Sequence, residues 1–81
     1  MSYYTDNLTK HNTEYTARGE GIRYRTRSMF MGQVYKWLNE HNIEYTWVGH
    51  QTSERGSITT YYLTVSILNE HDAMLFMLAW K

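Results

Sequence analysis

The chain predicts an α+β fold: two ββα units forming a four-stranded antiparallel sheet, with two helices packed on one face. Three observations predict it. Apolar residues recur at helical period from Ser28 to Asn42, and alternating, β-branched segments follow it. A nine-residue phrase is also written twice: HNTEYTARG from His11 to Gly19 and HNIEYTWVG from His41 to Gly49, agreeing at six positions. At 81 residues the chain is one domain, expected to be residues 13–81 behind a polar, flexible leader of residues 1–12.

The first unit takes its strands from the earlier copy of the phrase. TEYTARG and IRYRTR would pair as a hairpin, linked by the turn-prone Gly19-Glu20-Gly21. The helix of that unit is SMFMGQVYKWLNEHN, Ser28 to Asn42. Phe30, Val34, Trp37, Leu38 and His41 share one side, while Gln33, Lys36, Asn39 and Glu40 lie opposite. Ser28 suits the N-cap, and Asn42 suits the left-handed position that ends a helix. Gly32 costs up to ~1 kcal/mol relative to Ala inside a helix, so a close backbone contact is expected there.

The second unit begins with IEYTWVGH, in which Ile43, Tyr45 and Trp47 alternate with more polar neighbours. QTSERGS is expected to turn at Gly56. ITTYYLTVSI then returns as a strand with Tyr61, Leu63, Val65 and Ile67 inward and Thr60, Tyr62, Thr64 and Ser66 outward. In the closing NEHDAMLFMLAWK, alternation permits a strand with Met74, Phe76, Leu78 and Trp80 on one side, but the run lacks β-branched residues, so a helix is expected with Ala73, Phe76, Met77 and Trp80 together. Asn69 followed by Asp72 resembles a capping box.

Eight basic and eight acidic side chains cancel, which leaves little global pull toward nucleic acid or an anionic membrane. No stretch has the ~18 apolar residues of a membrane span. The opening MSYYTDNLTK lacks the pattern of a secretion signal, so a cytoplasmic location is expected. Cysteine is absent, excluding disulfides and thiolate metal sites.

Two surfaces stand out. Arg23, Arg25 and Arg27 occupy alternate positions, so a strand would project all three from one face, joined by Arg18, His50 and Tyr62. A basic sheet face carrying aromatic rings suits RNA or single-stranded DNA, through phosphate contacts and base stacking. A solvated face with cross-strand ion pairs explains the same pattern. The run from Ala73 to Trp80 is apolar at every position, more than one buried stripe needs. Met74, Leu75, Leu78, Ala79 and Trp80 are therefore expected to form an interface with a partner or a second copy. His11, His41, His50 and His71 have no zinc-motif spacing, and no phosphate loop, nucleophile elbow or HExxH occurs. Neither cofactor nor metal is expected.

The ending, with Asp72, Ala73, Phe76, Leu78 and Trp80, resembles the close of many small proteins from tailed phages of T4-like and marine types. Met77 and Ala79 stand where those proteins commonly carry basic residues. The resemblance covers the last fifth of the chain and implies an accessory protein in the host cytoplasm that binds a host macromolecule. The function expected is thus a non-enzymatic regulatory protein that binds a partner protein, as a homodimer. RNA or single-stranded DNA binding through the arginine-rich face is the alternative.

Overall fold

A computed structural model describes residues 13–80, so the expected leader lies outside the described residues. The elements in order are β1 (Glu14–Glu20), α1 (Arg27–Glu40), β2 (Thr46–Arg55), β3 (Ile58–Ser66) and α2 (Glu70–Trp80). The three strands form one antiparallel sheet in the order β1-β3-β2. The α+β class and the helices on a sheet hold. The four strands and the doubled ββα unit do not: among the described residues the order is β-α-β-β-α.

β3 holds the sheet together because its sequence fits a strand with neighbours on both sides. Tyr61, Leu63 and Val65 are buried toward the helices, followed by Ile67, while Tyr62, Thr64 and Ser66 lie half-buried on the other face. β1 pairs with it from Glu14↔Ser66 to Glu20↔Thr60. β2 pairs on its other side from Thr46↔Ser66 to Arg55↔Ile58, with a bulge between Trp47 and Gly49. The two copies of the phrase therefore lead into two parallel strands flanking one partner, not two modules, with only Thr46 to Gly49 of the second copy in strand. Thr16 lies opposite Thr64 and Thr46 lies opposite Ser66.

The segment IRYRTR is a turn and bend, not a strand. Strand pairing carries on to Gly21, whose N–H donates to the Thr59 carbonyl at 2.8 Å. The chain then folds back, the N–H groups of Arg23 and Tyr24 both donating to the Glu20 carbonyl. Tyr24 packs edge-on against Phe30 with ring centres 5.3 Å apart, which fixes the turn. Thr26, not Ser28, is the N-cap of α1: its side-chain oxygen accepts from the Met29 N–H at 3.1 Å. Asn42 does take the left-handed conformation after the helix, with φ 54°.

QTSERGS is likewise mostly strand, and the turn is confined to Gly56 and Ser57. Its residues are polar because β2 is exposed on both faces, not because the chain turns there. Gly56 supplies the φ of 61° that the two-residue connection needs.

The core lies between the helices and the β1–β3 half of the sheet. α2 packs on β1 and α1 on β3. Phe30, Val34 and Leu38 from α1 meet Ala17, Leu63, Val65 and Phe76 there. Each large side chain so buried stabilises the fold by roughly 1.5–3 kcal/mol. Phe30 is surrounded by Tyr24, Tyr61 and Trp80, the last two with ring centres 6.1 and 6.0 Å away. Gly19 is the close backbone contact, lying directly against the Phe30 ring. Gly32, expected to play that part, has open space where a Cβ would be.

Candidate interaction surfaces

α2 is started by Asn69, whose Oδ1 accepts from the Asp72 N–H at 3.0 Å, as the sequence suggested. Glu70 and Asp72 in its first turn favour the positive end of the helix dipole. One side of the helix is spent on the core: Ala73 and Phe76 are buried, and Trp80 is half-buried against Phe30. The rest faces outward. Met74 is 61% exposed, Met77 53% and Leu78 63%, with Leu75 and Ala79 beside them exposed as well.

Four of the five expected interface residues therefore share an outward surface, and Trp80 belongs instead largely to the core. Met77, expected inward, joins that surface. The buried stripe is only as wide as Ala73, Phe76 and Trp80, and Met77 falls on its flank. Helical periodicity alone does not separate a stripe member from its flank when every neighbour is apolar.

The sheet face away from the helices is polar. Arg18, Tyr62 and Gln51 sit in one row across β1, β3 and β2. A hollow of about 320 Å³ is lined by Arg18, Ser53, Arg55, Ile58, Thr60 and Tyr62. Arg18 comes within 3.9 Å of Glu20, an exposed pair that contributes little to stability. Thr16 and Thr64 bridge β1 and β3 through their hydroxyls at 2.8 Å.

The other arginines expected on this face lie elsewhere, because residues 22–27 are not a strand. Arg23 and Arg25 are in the loop before α1, the Arg23 guanidinium 6.0 Å from the Tyr24 ring centre. Arg27 is the first residue of α1. His50 pairs with buried Leu63, which places it on the helix side of β2, its ring 6.3 Å from that of Trp47. Arg55, which sequence reasoning passed over inside a supposed turn, lines the hollow with Arg18.

A zero net charge conceals a polar molecule. Arg18, Arg23, Arg25, Arg27 and Arg55 gather where β1 ends, α1 begins and the β2–β3 turn lies, accompanied by Glu20 and Glu54. Glu14, Glu40, Glu44, Glu70 and Asp72 lie toward the opposite end. There Glu44 and Asp72 line a hollow of about 1070 Å³ with Tyr45, Leu68 and Asn69. Such a separation orients an approaching charged partner even without net attraction.

Among the described residues, no three His, Asp or Glu side chains group as metal ligands. His41 stacks on Trp37 at 4.1 Å, and its Nδ1 lies 2.8 Å from the Trp37 carbonyl, which accepts from it. His71 is exposed in the first turn of α2. No helix among the described residues is long and apolar enough to cross a membrane. In comparisons with known proteins, the chain matches no family model, no curated protein and no solved structure.

Proposed function

We propose that this chain is a non-enzymatic interaction protein that binds a partner protein through the outward face of α2. The observation that carries the reading is the helix itself: from Ala73 to Trp80 it holds no polar residue, yet only Ala73 and Phe76 are buried. Met74, Met77 and Leu78 together present an apolar surface of the kind that soluble proteins keep for contacts. Flexible methionine side chains adapt to an apolar helix or groove on the other protein. With the phage-like ending, the reading is of an accessory protein whose target is a host protein in the host cytoplasm.

A photo-crosslinking residue tests it. Placed at Leu78 in the native cell, it should give one stoichiometric product that is absent when the probe replaces Lys36. Met74→Glu should abolish that product. A smear of products, or the same product from both positions, overturns the reading.

A second reading, single-stranded nucleic acid on the open sheet face, is favoured by one arrangement. Tyr62 stands beside Arg18 in a row across the strands, with Arg55 sharing the same hollow. A fluorescent oligonucleotide should then bind at low salt, with affinity falling steeply as salt rises and weakened by Arg55→Ala. No change in anisotropy at low salt removes this reading.

A further inference from the structure

We infer that β2 pairs with β2 of a second copy, giving a continuous six-stranded antiparallel sheet centred on Thr52. The inference is independent of the α2 surface, which lies over β1 at the other edge of the sheet.

The backbone groups that β2 offers follow from the registers. Gly21 donates to the Thr59 carbonyl, and Ile67 donates to that of Thr13, so the odd-numbered residues of β3 direct their backbone toward β1. Antiparallel pairing alternates, so Thr60, Tyr62 and Thr64 direct theirs toward β2. Their partners Ser53, Gln51 and Gly49 face back to them. His50, Thr52 and Glu54 therefore aim their N–H and C=O groups at the outer edge, where no strand among the described residues meets them.

This edge is open in a way that the edge of β1 is not. α2 packs on β1, and a second β1 alongside would force two helices together. α1 packs on β3, and among the described residues the helix side of β2 is largely exposed, with Trp47 51% exposed and His50, Thr52 and Glu54 exposed. Two copies can approach there without a collision of helices. The chain has no proline to block an edge.

The side chains select one register. Past the bulge, β2 is regular from Gly49 to Arg55, a stretch whose middle residue is Thr52. Pairing centred on Thr52 uses that whole stretch. It sets His50 opposite Glu54 of the second copy, twice, on the helix side. On the open side it sets Gln51 opposite Ser53, twice, and the long Arg55 opposite Gly49. Centring on His50 or Glu54 instead opposes like ionisable groups, imidazole to imidazole or carboxylate to carboxylate, where centring on Thr52 opposes two neutral hydroxyls. Centring on Gln51 or Ser53 shortens the ladder and loses both His–Glu pairs.

The absence of cysteine makes the test clean. In Thr52→Cys the two new thiols face each other across the axis, with Cα atoms about 5.5 Å apart, inside the disulfide range. Mild oxidation should give a covalent dimer far faster than in Ser57→Cys, which lies in the turn. By sedimentation equilibrium, Glu54→Lys should weaken the dimer about tenfold, and adding His50→Glu should restore it. A wild-type chain that stays monomeric at about 200 μM overturns the inference. So does equal cross-linking at both positions, or a dimer broken by Met74→Glu and untouched by Glu54→Lys. The last result would assign self-association to α2 and leave the proposed function standing.

Discussion

Replacing Gly19 with alanine places one methyl group on the rigid centre of the fold. The added Cβ would lie well inside the contact distance of two Phe30 ring carbons and about as close as real Cβ contacts allow to the Tyr24 ring, at 3.0 Å. Phe30 cannot swing aside cheaply, because Tyr24, Tyr61 and Trp80 surround it with ring centres 5.3, 6.1 and 6.0 Å away. Overpacking of this kind costs about 1–3 kcal/mol, and the confinement of the ring sets this case near the upper end. A chain of this length has a total stability of only about 4–12 kcal/mol. At roughly 4–8 °C per kcal/mol, a thermal melt followed by circular dichroism should show Tm falling by about 10–20 °C. Gly32→Ala is the control: its site is open, and helix propensity should raise stability by up to ~1 kcal/mol. Phe30→Leu makes room, so combined with Gly19→Ala it should cost less than the sum of the two single changes. A Gly19→Ala protein melting within about 3 °C of wild type would refute the placement of β1 against α1.

Other outcomes follow from the same packing. Asn69→Ala removes the cap of α2 and should cost about 1 kcal/mol, seen as a lower urea midpoint with an unchanged m-value. Tyr35 stacks on Tyr45 with ring centres 5.9 Å apart, and burial, then the neighbouring Tyr45, raises its phenol above the ordinary 10.0. The unfolded chain therefore loses that proton first: the stabilisation is complete below about pH 10 and declines as pH rises beyond it. Tyr35→Phe should flatten that part of a stability-against-pH curve, and an unchanged slope would contradict it. Leu78→Glu should leave the melt within about 0.5 kcal/mol of wild type, since the side chain is 63% exposed, while removing partner binding.

The helices were legible in the sequence because their signals are local. Phe30, Val34 and Leu38 repeat at one spacing, Asn42 ends the first helix, and Asn69 begins the second. β3 was legible too, since a central strand must satisfy both faces and its alternation records that. The edges were not. Arg23, Arg25 and Arg27 alternate as a strand would, but alternation carries no information about whether a neighbouring strand is there to pair. Tyr24 docking on Phe30, a contact of tertiary structure, decides that segment. β2 was hidden beyond His50 for the opposite reason. With neither face covered, Gln51 to Arg55 kept the polar composition of a loop while pairing fully with β3.

The exposed apolar face of α2 was half legible. An apolar run longer than its buried stripe leaves an apolar face uncovered, but which flank faces out depends on where the helix docks. That is why Met77, expected inward, faces out, and why Trp80, expected both in the stripe and at the interface, belongs largely to the stripe. The arginines gather at one end through topology, which joins the end of β1, the start of α1 and the β2–β3 turn. Nothing in their spacing along the chain reveals it.

The methionines offer the most direct measurement of whether the outer side of α2 is the working surface. Of the five methionines, the four that report are Met29 and Met31 on α1 and Met74 and Met77 on α2. With carbon-13 in their methyl groups, spectra recorded in extract of the native cell should show the Met74 and Met77 signals shifted or broadened. Those of Met29 and Met31 should keep their positions, and Leu78→Glu should return all four to the spectrum in buffer. Four signals that match their buffer positions in extract, or that all broaden alike, would contradict the assignment.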